Sequence, residues 1–134
     1  MTSQALDNLL KRASAVAQNS YSPYSCFKVG AALLLSNGEI VTGTNVENVS
    51  YGATICAERA ALVEAVSRFG PGIRIQAVAV ANLNRAASPP CGACRQMLAE
   101  FTEPDAPVIF PAADGMRVMA FSVLMPLATE MKLK

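Results

Sequence analysis

The chain has 134 residues, 52% hydrophobic and only 16% charged, a size and apolar content that suit one globular domain with its own core. It contains four Cys and no His, so Ser-His-Asp triads, Cys-His nucleophile pairs and His-ligated metals are excluded, and any zinc must sit on thiolates or carboxylates. Eleven Lys and Arg against ten Asp and Glu leave a net charge of +1 with no basic run, which argues against a nucleic-acid partner and leaves small neutral ligands open.

Thr2 or Ser3 can cap a first helix, in which Ala5, Leu6, Leu9, Leu10, Ala13, Val16 and Ala17 form an apolar stripe at helical spacing. The Tyr21-Ser22-Pro23-Tyr24 stretch breaks it. A short apolar run from Val29 to Leu35 meets the turn signal Ser36-Asn37-Gly38, and a second strand follows from Glu39 to Gly43. A polar loop leads to a second helix over Cys56 to Arg68, which Gly70-Pro71-Gly72 stops. The nearly continuous apolar run from Ile73 to Ala81 reads as a central strand covered on both faces. A third helix spans Gly92 to Phe101, then two strands, Val108 to Phe110 and Arg117 to Phe121, flank Asp114-Gly115, and a short helix starts at Val123. This order predicts a single α/β domain over residues 1–134, with a mixed sheet between helices.

The longest apolar runs are far too short for a membrane span, and the first residues lack the apolar core of a signal peptide. A cytoplasmic, reducing location is the expectation, where paired cysteines more often bind metal or do redox work than form disulfides. The low charged fraction implies either a large core or a surface covered in an oligomer.

Cys56, Cys91 and Cys94 all fall at helix starts, where partial positive charge and free N–H groups favour the thiolate. If both starts aim at one spot, three thiolates meet a tetrahedral ion and leave its fourth corner for water, the arrangement of a catalytic zinc. Glu58, two residues past Cys56, could then take a proton from that water and return it to a substrate nitrogen. Three thiolates make a net negative centre, and Arg59, one helix turn from Cys56, is the chosen guanidinium to offset it; Arg95 follows its own cysteine closely. Each element has a plainer reading. Cys91-x-x-Cys94 could be a redox pair, Cys26 could close a four-thiolate structural site, and Glu58 could serve only the helix dipole. Taken alone, Arg59 and Arg95 would be solvated helix residues. For Cys26, beside Phe27, a buried position in a strand is expected instead.

Cys56-Ala57-Glu58 with Pro90-Cys91-Gly92-Ala93-Cys94 matches the known signature of zinc nucleobase deaminases. With Tyr24 to Ala32, Gly43 to Asn48, Tyr51-Gly52 and Cys91 to Gln96, the chain closely resembles the small homotetrameric cytidine deaminases, almost from end to end. That resemblance implies a three-layer α/β/α fold with a mixed five-stranded sheet, and one zinc ion per subunit on Cys56, Cys91 and Cys94. It implies hydrolysis of cytidine and 2′-deoxycytidine to the uridines and ammonia in pyrimidine salvage, with zinc-bound hydroxide attacking C4 and Glu58 shuttling protons. By the same resemblance Asn45 and Glu47 would hold the ribose hydroxyls and Phe27 would pack against the base. The backbone of Ala57 and the carbonyl before the Pro-Cys step would read the pyrimidine, and Tyr51 would reach a neighbouring subunit's site. Homotetramers with shared sites, and no nucleic-acid or membrane partner, follow as expectations.

The chain departs from the family pattern at three points. Pro89 stands where Ser is common, Cys26 precedes Phe27, and Thr129 replaces an aromatic that stacks on the base from a neighbouring subunit. Loss of that stacking, worth about 1–3 kcal/mol, implies weaker cytidine binding or a roomier site. The rival enzyme is therefore a deaminase of base-modified cytidines or of a nucleoside antibiotic such as blasticidin S. A non-catalytic zinc-stabilised binding protein and a redox thiol protein are the rivals from other classes.

Overall fold

A computed structural model describes residues 1–129; residues 130–134, the end of the span expected to form the domain, lie outside the described residues. Helix α1 runs Ser3–Ala17, with the Thr2 hydroxyl accepting from the Ala5 N–H as its cap. Strands β1 (Val29–Leu35) and β2 (Ile40–Thr44) form the expected hairpin, and Gly38 supplies the positive φ of 87° that its turn needs. A single 3₁₀ turn, Tyr51–Ala53, precedes α2 (Ala57–Phe69). The rest of the described chain is β3 (Ile75–Asn82), α3 (Gly92–Ala99), β4 (Pro107–Ala112), β5 (Gly115–Ala120) and the one-turn α4 (Phe121–Leu124).

The five strands lie in the order β2-β1-β3-β4-β5. All neighbours are antiparallel except β3 and β4, which the α3 crossover joins in parallel. Alternation along the strands builds two apolar layers, because successive side chains point to opposite faces. On one face Ala31, Leu33, Leu35, Val78, Val80, Val108 and Phe110 pack with Ala57, Ala61, Leu62 and Leu98 of α2 and α3. On the other, Ala32, Ala77, Ala79, Ala81 and Ile109 receive Leu9 and Ala13 of α1. The expected three-layer mixed sheet is thus present.

Since α2 leads back into β3 and α3 follows it, both helices begin at the C-terminal end of β3. Open sheets place their ligand crevice there. A close approach fixes the depth of α2. A methyl group added at Gly43 would come within 2.7 Å of the Ala57 carbonyl oxygen and closer still to the Ala61 nitrogen. Gly43→Ala therefore forces α2 off β2 and is expected to cost about 1–3 kcal/mol, as overpacking does. Gly52, where an added Cβ meets nothing within 4 Å, is the control. Urea unfolding should show a lower midpoint for Gly43→Ala and an unchanged one for Gly52→Ala.

Candidate active site and metal centre

Cys56 is the N-cap of α2 and Cys91 the N-cap of α3, with Cys94 in the first turn of α3. Their sulfurs lie within 4.8 Å of one another. Cys56 Sγ is 3.8 Å from Cys91 Sγ, and Cys91 Sγ is 3.0 Å from Cys94 Sγ. A tetrahedral zinc with Zn–S bonds of about 2.3 Å holds its sulfurs roughly 3.8 Å apart, so this donor set fits the ion with small adjustments. The backbone N–H of Cys94 already points at Cys91 Sγ, 3.4 Å away.

Electrostatics favour thiolate at this point. The Cys94 thiol, then the guanidinium of Arg59 and the Cys91 thiol, bring the Cys56 thiol down to about 5 against the opposing effect of burial. Cys94, close to the Cys56 sulfur and buried, is pushed up. Cys56 is thus favoured as the thiolate and Cys94 as the thiol, and a bound cation would favour the thiolate form of the cluster. Arg59 Nη2 sits 3.6 Å from Cys56 Sγ and donates to the Thr54 carbonyl at 3.1 Å. Its Nε is buried without a partner among the described residues. Arg95 turns elsewhere, to the carbonyls of Pro90 at 2.7 Å and Leu124 at 3.0 Å, where it braces the loop that carries Cys91.

Glu58, in the first turn of α2, is only 4% exposed. Burial pushes its carboxyl above the usual range, and the neighbouring Cys56 adds to this. It opens on a pocket of about 180 Å³ whose other walls include Cys56, Cys91, Asn45, Ala57, Thr54 and Pro89. A second hollow of about 380 Å³, lined by Tyr24, Ser25, Glu47, Tyr51 and Thr54, adjoins it through Thr54.

The expected site residues therefore fall in two groups. Asn45 and Ala57 share the pocket with Glu58, whereas Glu47 and Tyr51 line the second hollow. The Asn45 amide is largely committed: its oxygen accepts from Ser20 and from the Val29 N–H, and one of its N–H groups donates to the Phe27 carbonyl. Glu47 accepts from the Ser25 hydroxyl and from the N–H groups of Tyr24 and Ser25, and these bonds, the hydroxyl first, hold its carboxyl below the usual 4.5. Tyr51 is 77% exposed and meets Tyr24 edge to face. Phe27 is half-buried and is not one of the pocket's walls; its backbone abuts them through Asn45. Thr129 is tied to Gln96 by both backbone groups.

Cys26 departs from expectation. It is exposed, lies outside any strand with φ 59°, and is not part of the thiol cluster. The polar Tyr24–Lys28 loop, held by backbone and amide hydrogen bonds, carries it outward. Thr54, which joins both hollows, was missed because a loop threonine has no distinguishing sequence signal. Its position two residues before Cys56 is the only cue.

The sequence profile of the cytidine and deoxycytidylate deaminase zinc-binding region matches residues 3–110. The chain belongs to that family. A cytidine deaminase of Halalkalibacterium halodurans is 43% identical over 120 residues, covering 88% of this chain and 89% of its own. The crystal structure of cytidine deaminase from Burkholderia pseudomallei superposes with a TM-score of 0.81 at 40% identity, covering 96% of this chain and all (100%) of that one. The cytidine deaminase structure from Mycobacterium tuberculosis gives 0.78 at 38% identity, over 93% and 97% of the two chains. Zinc is the metal of this deaminase family, and the three-thiol cluster is the metal site that this member offers. The protein should therefore carry one zinc per chain by mass-spectrometric metal analysis. Cys56→Ala, Cys91→Ala and Cys94→Ala should each lose it, and Cys26→Ala should keep it.

Proposed function

We propose that this protein is a zinc-dependent cytidine deaminase, a single domain over residues 1–134 that converts cytidine and 2′-deoxycytidine to the uridines and ammonia in pyrimidine salvage. The observation that carries the reading is Glu58, a buried carboxyl beside a three-thiol metal cluster on the wall of a nucleobase-sized pocket. Zinc, when held by Cys56, Cys91 and Cys94, supplies the Lewis acidity that makes water nucleophilic near neutral pH.

The protein's own groups do the rest. Glu58 takes a proton from the attacking water and delivers it to N3 as C4 becomes tetrahedral. It then carries the remaining proton of the oxygen added at C4 to the exocyclic nitrogen; the C4–N bond breaks, ammonia leaves and that oxygen becomes the uridine carbonyl. Its burial suits this work, because a carboxyl raised above its usual range takes a proton from water more readily than an ordinary carboxylate does. Arg59 donates to Cys56 and so draws charge from the thiolates. The Ala57 backbone and the Pro89 carbonyl would read the pyrimidine edge, with Phe27 packing near the ring. Pro89 retains the carbonyl that such a contact needs.

Asn45 keeps one uncommitted N–H, and Glu47 presents a carboxylate, for the sugar hydroxyls. An anionic Glu47 also repels a phosphate, which favours nucleosides over nucleotides. Exposed Tyr24 and Tyr51 line the second hollow, and the bridged Tyr21, Val46 and Ile55 are exposed as well; this apolar surface supports a homotetramer in which Tyr51 enters a neighbour's site. Among the described residues no helix is long and apolar enough to cross a membrane. A cytoplasmic enzyme is proposed because a reducing compartment keeps such thiols free for metal. The rival reading as an antibiotic deaminase is not favoured, since the matched relatives are cytidine deaminases.

The test is the ultraviolet loss of cytidine and deoxycytidine with ammonia measured in parallel. Zinc-loaded protein should turn over both, and Glu58→Gln should lower kcat by about 10²- to 10⁴-fold while keeping its zinc. No turnover of any nucleoside would overturn the function, and full activity in Glu58→Gln would overturn the mechanism. The pH dependence of KM isolates Glu47. Its lowered pKa keeps it ionised as pH falls, so its contribution should persist down to the usual carboxylate value of 4.5 and be lost only below it. A KM that rises already near neutral pH would remove Glu47 from sugar binding.

A further inference from the structure

The segment that leads into β1 has an arrangement that no strand pairing accounts for. The β1–β3 ladder ends at the Val29–Asn82 pair, and one further bond runs from Leu83 N–H to the Lys28 carbonyl at 3.0 Å. Beyond it, two side-chain amides take over. Asn84 Oδ1 accepts from Lys28 N–H at 3.0 Å, and Asn84 Nδ2 donates to the Cys26 carbonyl at 2.9 Å. On the opposite side Asn45 accepts from Val29 N–H at 3.0 Å and donates to the Phe27 carbonyl at 2.8 Å.

Peptide groups of successive residues in extended chain face opposite ways. The segment 26–29 is therefore strung between two asparagines, each offering one acceptor and one donor as a neighbouring strand would. Asn45 is buried and lines the pocket with Glu58; Asn84 is exposed, 56 residues away from Lys28 in sequence. Cys26 holds φ 59°, a left-handed conformation that a residue bearing a Cβ keeps only when its surroundings impose it. The bond from Asn84 to the Cys26 carbonyl is one such constraint. Asn84 is fixed in turn, its N–H donating to Asn82 Oδ1, while Asn82 Nδ2 reaches the Ala86 carbonyl and the hydroxyl of Ser88, a pocket wall.

We infer that Asn84 is a positioning residue for the substrate pocket, pinning Cys26–Lys28 from outside so that Phe27 and Asn45 are held at its edge. The inference deepens the cytidine deaminase reading and rests on it for the identity of the substrate. Asn84 touches no substrate. Removing its amide frees the peptide groups on either side of Phe27 and leaves Cys56, Glu58, Cys91 and Cys94 as they are.

Two measurements test it. In the zinc-loaded enzyme, Asn84→Ala should raise KM for cytidine about threefold to tenfold, the effect of losing one or two exposed hydrogen bonds, with kcat and zinc content held. In a Phe27→Ala background the same substitution should add nothing, because the residue it positions is gone. The chain has no Trp, so Phe27→Trp introduces a sole indole, and adding Asn84→Ala should increase its quenching by acrylamide. An unchanged KM, an undiminished penalty in the Phe27→Ala background, or unchanged quenching would each overturn the inference. If wild-type enzyme fails to deaminate cytidine, the functional reading falls, and the quenching comparison alone decides whether Asn84 holds residue 27.

Discussion

Two helix starts meet above the C-terminal end of β3, and the positions of the three thiols and of Glu58 follow from that meeting. A helix start leaves N–H groups unpaired and carries partial positive charge. Placing Cys56 and Cys91 at N-cap positions directs this charge at sulfur. The sheet makes the convergence possible: Gly43 lets α2 settle close on β2, and the parallel β3–β4 pair obliges α3 to cross over from the same edge. Glu58 then needs no special device to have its carboxyl raised above the usual range. In the first turn of α2, it is buried because the helix start is buried.

The lack of any His defines the chemistry that remains. A three-thiolate site is more negative than one with imidazole, and the surrounding groups counter this with Arg59 and two helix ends rather than with a neutral ligand. Arg95, alike in sequence setting, spends its donors on backbone carbonyls and stiffens the metal-bearing loop. The two arginines therefore divide charge compensation from bracing.

What could be read in the sequence was whatever depends on short spacing. The Asn37-Gly38 turn, the apolar run of β3 and the Cys-x-Glu and Cys-x-x-Cys pairs carry their meaning within a few residues, and the elements stand where those signals put them to within a few residues. Features set by distant contacts were not legible. Cys26 was expected in a strand interior, yet the loop hydrogen-bonded to Asn84 turns it to solvent. Asn84 is placed by Lys28 and Cys26, partners that only folding brings near, and Thr54 matters because it lines two hollows that only folding forms. The separation of Asn45 from Glu47 into adjoining hollows is likewise not legible in their two-residue spacing, because burial and hydrogen bonding of each side chain decide where it ends.

The proposed function requires this fold to present three sulfurs to one ion and to leave its fourth position to a small oxygen donor. Zinc K-edge X-ray absorption of the purified protein measures this directly. Three sulfur scatterers near the usual Zn–S distance of about 2.3 Å plus one oxygen are predicted. Four sulfurs would mean a closed structural site, and the catalytic reading would not survive it.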